Sequence, residues 1–525
     1  MMFDASMLNV GSVRQHFFDD LLIESVENVE RVVHTPQRDP AGPVIKADRP
    51  WEHILECTVS AVSIMRDPKD DLLKCWYIEN DSRPGELSRD EDTNFEDPAN
   101  MLIRVCYAQS TDGIHWDKPG LGIQKHEGQD TNIILGGRDY GSVYNMAPVL
   151  DPHESDPERR FKTLYTWWPA DLSGMQDIAA YSGDGIRWTR FPEPPCFGHQ
   201  GNRLDDVHKI MYDPLGRLFV MTSRHNDMYA GSLNLNNPRV GGFTLPCYPH
   251  DYYRRNKRRV WQSESADFIH WTEPHVALCP TDGFDGIDHT FYGMVQTDLG
   301  DVRLGFLNVF QYVENRLSVQ LVYTRDGRNW ERFNKGQTWL DRAEPDAWDS
   351  VMVAIENPPI PMGDEWFVYY GGASCHHDWW LVGENEGLDV PEAGDVSLAN
   401  YAVGLARMRQ EGIVGMHANH VRRGILITRP IISEGSRLVI NAECGSRGSI
   451  QVEVVDARDR VIPGFSREEC DAFTGSEVNH VVTWGGRADM PVHKGRAHYP
   501  EPENERFRKF RFFLFDAEIY AMQLL

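Results

Sequence analysis

The chain lacks the cysteine spacing, the long apolar runs and the excess of positive charge that define several common protein classes. Its nine cysteines form no Cys-x-x-Cys pair, which argues against a zinc site or a disulfide framework. No apolar run approaches the roughly 18 residues of a membrane span. The formal net charge is −26, and so acidic a surface repels phosphate backbones, so nucleic-acid binding is not expected.

The beginning of the chain also lacks a basic segment followed by an apolar one, so a secretory signal is not expected. Several cysteines lie inside apolar strand patterns, such as Cys75 in KCWYI and Cys106 in RVCYAQS. Buried free thiols fit this pattern better than disulfides. The expected location is therefore the reducing cytoplasm.

The residues that are abundant favour strands and turns. Aromatic residues make up 11% of the 525 residues, with 15 tryptophans, 44 glycines and 31 prolines. Many aromatic strands joined by many turns are typical of an all-β protein. The length predicts two or three domains with large cores.

One motif recurs along the chain, with the form Ser/Thr-x-Asp-Gly-x-x-Trp. Its four copies end at Trp116, Trp188, Trp271 and Trp330, and a degenerate fifth follows Ala402–Met408. Each copy follows an alternating strand, and Asp-Gly closes a tight turn because glycine tolerates positive φ. A second series of five aromatic strands runs upstream of these turns.

Both series count five, which predicts a five-bladed β-propeller of four-stranded antiparallel blades. A six-bladed sialidase is the nearest competitor, but no sixth unit occurs in the sequence. After about residue 424 the repeat gives way to strands typical of a β-sandwich. The predicted division is an N-terminal arm completing the propeller (1–50, with LLIESVE completing a blade), the propeller (51–423) and a C-terminal β-sandwich (424–525).

The order of several phrases resembles the glycoside hydrolase superfamily that includes families 32, 43, 62, 68 and 117. The phrases are PWE, KCWYIEN, CYAQSTDGIHWDKPGLGI, SESADFIHW, FYGM, TRDGRNWERF, WDSVM and VYYGG. They look like a bacterial group described as family-32-like. The invertase signature Trp-Met-Asn-Asp-Pro-Asn-Gly and its Glu-Cys acid motif in the third blade are absent.

In such propellers, residues at the start of each inner strand point into a funnel at one face. Glycoside cleavage needs one protonated and one ionised carboxyl there, and crowding separates their pKa values. The sequence offers a catalytic trio, Glu52, Asp206 and Asp288. Neighbouring acids at the same strand starts are Glu56, Asp205, Asp285 and Asp346. Predicted substrate-binding residues are Asn145, His208, Arg224, His289, Asp349, His377, Trp379 and Trp380.

The resemblance implies that the first blade supplies the base or nucleophile, which would be Glu52, and that Asp206 is the acid. Asp288 would orient the substrate or tune a pKa. Trp379 and Trp380 are predicted stacking platforms for sugar rings, with loop anchoring as the alternative. An aspartate before a strand is also a common turn residue, so each acid has a structural alternative.

No zinc motif is present and no cofactor is expected, although a structural Ca²⁺ ion at the propeller axis is left open. The basic segment Tyr252–Arg259 is an alternative grip for an anionic sugar. The predicted function is a glycosidase acting on a small or chain-end saccharide. A glycoside phosphorylase, and a propeller that binds carbohydrate without cleaving it, are the alternatives. The expected partner is carbohydrate, without nucleic acid or membrane, and homo-oligomers are left open.

Overall fold

A computed structural model describes residues 8–56, 61–81, 102–171, 174–198, 207–224, 258–281, 285–286, 288–377, 379–383, 387–433, 435–456, 459–491 and 507–525. The prediction of an all-β chain is confirmed. The helical segments among these residues are the α-helix Trp379–Val382 and the 3-10 helices Pro157–Arg159, Phe333–Gly336, Pro391–Ala393 and Val396–Leu398. None of the described helices is long and apolar enough to cross a membrane. Cys75 and Cys106 are buried free thiols, as expected.

Antiparallel sheets follow one another along the chain, and we number them units one to five. Unit one contains Ile54–Glu56, Val62–Arg66, Leu73–Asn80, Ile103–Ser110 and Ile133–Leu135. Unit two contains Gly141–Leu150, Phe161–Pro169, Gln176–Ser182 and Thr189–Arg190. Unit three contains Cys196–Phe197, His208–Asp213, Leu218–Ser223, Val260–Ser265, His270–Trp271 and His275–Leu278. A separate hairpin joins Lys125–His126 to Gln129–Asp130.

Units four and five belong to one continuous sheet, because Leu317 and Met352 pair in parallel where the units meet. Unit four contains His289–Asp298, Arg303–Gln311, Arg316–Thr324, Glu331–Arg332 and Thr338–Leu340. Unit five contains Met352–Ile355, Ile360–Met362, Glu365–Ala373 and Ala402–Arg409, completed by Gln37–Arg38 and Ile45–Lys46 from the start of the chain.

All five units contribute to one cavity of about 350 Å³, units one to four through their inner strands and unit five through the segment that follows Met352–Ile355. The lining segments are Ser63–Arg66, Ala147–Leu150, Lys209–Tyr212, Val295–Gln296 and Glu356–Pro361. In units two and four these segments come from the C-terminal half of the inner strand, and in units one and three they span most of Val62–Arg66 and His208–Asp213. The opposite end, where the inner strands begin, is called the entrance end below.

The repeated motif folds as the predicted tight turn. In its first copy, the Ser110 hydroxyl accepts from the Gly113 N–H at 2.8 Å. The Asp112 carboxylate accepts from the N–H groups of Ile114 and His115, both at 2.8 Å. Burial alone would raise the pKa of this carboxyl. The hydrogen bonds to it have the larger effect and hold the pKa of Asp112 well below its ordinary value.

These turns dock each unit on its neighbour. The Trp76 indole of unit one donates to the Gly185 carbonyl in the unit-two turn at 2.6 Å. In the same way, the Tyr369 hydroxyl of unit five donates to the Gly113 carbonyl in the unit-one turn at 2.8 Å. The first unit therefore packs on the fifth as the second packs on the first.

The N-terminal strands differ from the predicted arm. LLIESVE does not complete a blade, because Ile23–Glu27 pairs with Gly424–Thr428. The strands around it join the C-terminal strands as well, because the apolar side chains of both segments share one core with Phe17 and Trp484. This sheet system contains Leu8–Asn9, Gln15–His16, Ile23–Glu27, Glu30–Val33, Val414–Ala418, Gly424–Thr428, Ile431–Ile432, Leu438–Val455, Ser476–Val481 and Phe507–Leu524.

Candidate functional site

The inner strands are irregular near the entrance end. In unit four the pairing register shifts between Phe291 and Gly293, which places Tyr292 at a bulge. In unit two it shifts between Tyr144 and Ala147, which brackets Asn145. Bulges bend a strand and re-aim its side chains, and they are common beside active sites. The entrance end is therefore where the search for a site begins.

Side chains from three units meet around the ring of Tyr292. The guanidinium carbons of Arg224 and Arg258, both from unit three, lie 5.0 and 4.8 Å from the ring centroid. The Tyr292 hydroxyl forms a 2.6 Å hydrogen bond with Nε2 of His377 from unit five. Arg258 also lies 5.4 Å from the centroid of Tyr312. We call Arg224, Arg258, Tyr292, Tyr312 and His377 the Tyr292 cluster.

Asp288 lies beside this cluster, because its backbone carbonyl accepts from the Tyr312 N–H at 3.2 Å. Its side chain is 17% exposed, and the imidazole of His289 lies 4.0 Å away. The amide nitrogen of Gln311 lies 3.2 Å from Nε2 of His289. No described residue bonds the buried Nδ1 of His289. Asp288 and His289 thus form an accessible acid–base pair at the entrance end.

Asn145 has an unusual backbone and an unsatisfied amide. Its φ is +53°, in the left-handed region that asparagine tolerates better than most residues. The residue is 6% exposed, and no described residue accepts from its side-chain nitrogen. Strained backbone and an unmet buried donor both fit a ligand contact, so its predicted role stays open.

Glu52 precedes the inner strand of unit one, but its side chain is enclosed, which argues against its assignment as base. Its enclosed carboxylate accepts from Lys118 Nζ at 2.7 Å and from the N–H groups of Asp48 and Arg49 at 3.0 and 3.2 Å. The Tyr77 hydroxyl donates to its other oxygen. With both oxygens engaged and the side chain sealed, Glu52 does not suit attack on a substrate or on water.

Asp349 and Asp285 are likewise held by arginines. Arg38 Nε donates to the Asp349 carboxylate at 2.6 Å, and the Tyr370 hydroxyl donates at 3.0 Å. Arg332 donates to both oxygens of Asp285 at 2.7 Å. Neither carboxylate is exposed beyond 2%. The predicted substrate role of Asp349 is therefore replaced by a structural ion pair. Asp346, in contrast, is an exposed residue of the loop before unit five.

His208 and Trp380 are anchoring residues. His208 is fully buried and its Nε2 lies 3.2 Å from the Leu164 carbonyl of unit two, so it joins two units rather than facing the entrance end. The Trp380 indole donates to the His377 carbonyl at 3.1 Å and to the Tyr401 hydroxyl at 3.0 Å. Buried in the core, this ring is not a sugar platform, and loop anchoring is the alternative that fits.

Trp379 remains half-buried and stacks on the ring of His376, with centroids 4.1 Å apart. The backbone N–H of His376 donates to the carboxylate of Glu392 at 3.0 Å, which fixes this pair. The outer face of Trp379 keeps its predicted role as a platform open.

Glu56, the other predicted acid near the start of unit one, is less enclosed than Glu52. It ends the strand Ile54–Glu56 and is half-buried. Burial raises the pKa of Tyr401, and the charges of Cys375 and Glu56 add to this shift. The Tyr401 hydroxyl donates to the His377 carbonyl at 2.6 Å. Tyr401 thus contacts the backbone of His377, and its pKa responds to the charge of Glu56.

Asp206, the predicted acid, and Asp205 lie outside the described residues. The role of Asp206 stays a prediction.

One group of possible metal ligands occurs among the described residues. Single donor atoms of His53, Glu79 and Asp81 lie within 4.8 Å of one another. However, Arg104 Nε donates to Glu79 at 2.8 Å, and another of its nitrogens lies 3.6 Å from Asp81. The positive charge of Arg104 thus already lies against these carboxylates, which does not favour the binding of Ca²⁺ between them. The axial Ca²⁺ ion stays a prediction.

Three members of the Tyr292 cluster, Arg258, Tyr292 and Tyr312, were not singled out from the sequence. Arg258 lies in the basic segment Tyr252–Arg259, and Tyr292 lies in FYGM. The sequence signal for Tyr292 is its position as a bulky aromatic residue directly before Gly293, in a strand that is otherwise typical of the inner strand of a blade. A glycine inside a strand marks a bulge.

The chain matches no protein-family model and no curated protein. Among solved structures, a β-1,2-mannobiose phosphorylase from Listeria innocua shares 12% identity over 73% of this chain and 97% of its own, with a TM-score of 0.45. A glycosyl hydrolase from Bacteroides ovatus shares 14% over 72% and 94%, with a TM-score of 0.41. An N-acetylgalactosamine deacetylase from F. plautii shares 12% over 73% and 96%, with a TM-score of 0.39. At such low identities and scores, function has to be argued from the residues of this chain.

Proposed function

We propose that the chain is a carbohydrate-cleaving enzyme with its reaction centre at the entrance end of a five-bladed propeller. The observation that carries this proposal is the convergence of the Tyr292 cluster beside the accessible carboxylate of Asp288. Aromatic faces suit the C–H faces of sugars, and cationic and imidazole donors suit hydroxyl or anionic oxygens.

Cleavage of a glycosidic bond needs a carboxyl that protonates the departing oxygen and a nucleophile that reaches the anomeric carbon. In this proposal Asp288 supplies one carboxyl, and Glu56 or Asp206 supplies the second. The imidazole of His289, 4.0 Å from Asp288, is placed to hydrogen-bond the substrate beside that carboxyl. Arg224 and His377 orient the substrate through its oxygens.

The experiment is a screen of aryl-glycosides and short oligosaccharides for product release, with the wild type and the variant Asp288→Asn. The amide cannot exchange a proton, so we expect kcat/KM to fall by about 100-fold or more. Asp206→Asn is tested alongside it.

The matched control is Asp364→Asn, an exposed aspartate in the turn between two strands of unit five. It should keep wild-type turnover. Equal turnover of Asp288→Asn and wild type on every substrate that is cleaved would remove Asp288 from the reaction.

A second candidate is phosphorolysis, which is favoured by the two guanidinium groups placed within 5.0 Å of one ring. Arginine pairs bind phosphate through several charge-assisted hydrogen bonds. A phosphate oxygen would attack the anomeric carbon, the glycosidic C–O bond would break, and a carboxyl would protonate the leaving oxygen. The products would be a sugar 1-phosphate and a free hydroxyl.

Phosphate dependence separates the two candidates. If phosphate is the nucleophile, turnover requires inorganic phosphate and forms sugar 1-phosphate, and Arg258→Lys raises the KM for phosphate by about tenfold because the planar fork is lost. Arg328→Lys, at an exposed turn position, is the control. Release of the reducing sugar at an unchanged rate without phosphate would assign hydrolysis.

A further inference from the structure

The cavity of about 350 Å³ lies at the opposite end of the inner strands from the Tyr292 cluster, and the proposed reaction does not use it. Its walls are mainly apolar, with Ile64, Val149, Leu150, Ile210 and Met211 among them. The volume is at the lower end of the roughly 300–1,000 Å³ range of small-molecule pockets, which are typically apolar with a few placed polar groups.

The polar groups in this cavity are the informative part. Gln296 is 4% exposed, and neither its amide nitrogen nor its amide oxygen has a partner among the described residues. Asn357 is 3% exposed, and its side-chain oxygen is also without a described partner. Its side-chain nitrogen donates to the Pro358 carbonyl at 3.0 Å, which fixes the amide so that the oxygen is the group left over.

Buried amides without partners are costly, so such groups normally meet water or a ligand. The amide groups without a described partner are two acceptor oxygens, from Gln296 and Asn357, and one donor NH₂ group, from Gln296. A single polar group that both donates and accepts, such as a primary amide or a hydroxyl, matches this set.

The fixed charges in the cavity balance each other. Lys209 Nζ lies 3.5 Å from the Glu356 carboxylate and donates to the Val62 carbonyl at 2.6 Å. At the rim, Arg66 is paired with Asp71 at 2.7 Å. An added charge would find no uncompensated counter-charge among these groups, and burying an unpaired charge is unfavourable.

We propose that this cavity is a second ligand site, which takes a small uncharged molecule with an apolar body and an amide or hydroxyl head. The head hydrogen-bonds to Gln296 and Asn357, and the body lies along the apolar walls. Because the walls come from all five units, an occupant contacts the inner strands of units one to four and the segment Glu356–Pro361 of unit five.

Pentanamide is the probe, titrated into the full chain by calorimetry and followed by the melting temperature. We expect saturable binding of one molecule per chain. Pentylammonium and pentanoate, which carry the same body with a charge, should bind at least about tenfold more weakly. 1-Pentanol tests whether a hydroxyl replaces the amide.

The variant Gln296→Leu replaces the unmet amide by an apolar side chain of similar size, so we expect a folded chain that binds pentanamide at least about tenfold more weakly. Thr297→Val, the next residue on the same strand and outside the cavity lining, is the matched control and should bind as wild type.

Each remaining outcome contradicts the proposal. Absence of pentanamide binding to the wild type would mean that water alone fills the cavity. Equal binding of the three pentyl probes, or unchanged binding by Gln296→Leu, would mean that the amides do not select the ligand. Turnover of saccharides is a separate measurement, so failure here and failure of the proposed reaction are distinguishable.

Discussion

At the scale of single residues, the same side chain has different roles because its neighbours differ. Glu52, Asp285 and Asp349 each precede an inner strand, yet a lysine or an arginine encloses each one. Asp288 has an equivalent position in the sequence, but the basic group beside it is the imidazole of His289, 4.0 Å away. The available chemistry is therefore decided by contacts from distant parts of the chain.

Glu52→Gln tests this difference. Removing one charge of a buried ion pair typically costs about 3–5 kcal/mol, and Lys118 then keeps the partly exposed Asp48 carboxylate, 2.9 Å away, as its counter-charge. We expect the free energy of unfolding in urea to fall by several kcal/mol, while the folded variant keeps its kcat at a temperature well below its melting point. A large loss of kcat with unchanged stability would restore Glu52 as a catalytic base.

At the scale of elements, the Asp-Gly turns are the parts that sequence reasoning describes best. The hydroxyl, the carboxylate and the glycine act within one short segment, so local chemistry is enough to form the turn. What the local segment does not contain is its docking partner. Gly185 has φ of +79°, and a Cβ there would lie 2.7 Å from the Trp76 ring of the neighbouring unit.

Gly185→Ala therefore combines two costs. The left-handed backbone costs an L-residue roughly 1–2 kcal/mol, and the contact with Trp76 adds to it. Gly122→Ala is a matched control, because its φ is +66° but nothing lies within 4 Å of the added carbon. We expect Gly185→Ala to lower the free energy of unfolding about twofold more than Gly122→Ala does. Equal losses would show that the turn does not depend on the docking.

At the scale of the whole molecule, a buried cluster ties the N-terminal segment to units four and five. His16 Nδ1 lies 2.7 Å from Asp301 in a unit-four turn, and its Nε2 lies 3.4 Å from Glu411, just after unit five. Arg14 contacts Glu411 at 2.8 Å, and Arg325 contacts Asp301 at 2.9 Å and Asp19 at 2.9 Å. The strand Gln15–His16 itself pairs with the last strand of the chain.

This cluster predicts a pH dependence of stability. Burial lowers the pKa of His16, but Asp301 and Glu411 outweigh it and raise the pKa to about 9 from an ordinary 6.5. The folded chain thus binds a proton that the unfolded chain releases at lower pH. The resulting stability is full below pH 6.5 and is lost as the pH rises through about 9, a change of about 3 kcal/mol.

The measurement is urea unfolding between pH 6 and 9.5 for the wild type and His16→Gln. The variant should be less stable at pH 6 and should show a flatter pH dependence, since this linkage is gone. His420→Gln, at an exposed position, should retain the slope of the wild type. Parallel slopes for His16→Gln and wild type would contradict a protonated His16.

The sequence alone determined the class of fold and the positions of the tight turns between its strands. Alternating apolar residues and the Ser/Thr-x-Asp-Gly-x-x-Trp turns specify antiparallel strands, because both signals act over a few neighbouring residues. The start of each inner strand could also be found this way, which brought Asp288, His289 and Asn145 into consideration.

Only the tertiary structure decided which of these residues meet. Arg258, Tyr292 and His377 come from three units. Their approach depends on how the units pack on one another and on a bulge that re-aims the Tyr292 side chain. The enclosure of Glu52 by Lys118, and the pairing of LLIESVE with a C-terminal strand, are equally long-range. Strand periodicity fixes the face on which a side chain lies. Which partner covers that face is set by packing between segments far apart in the chain.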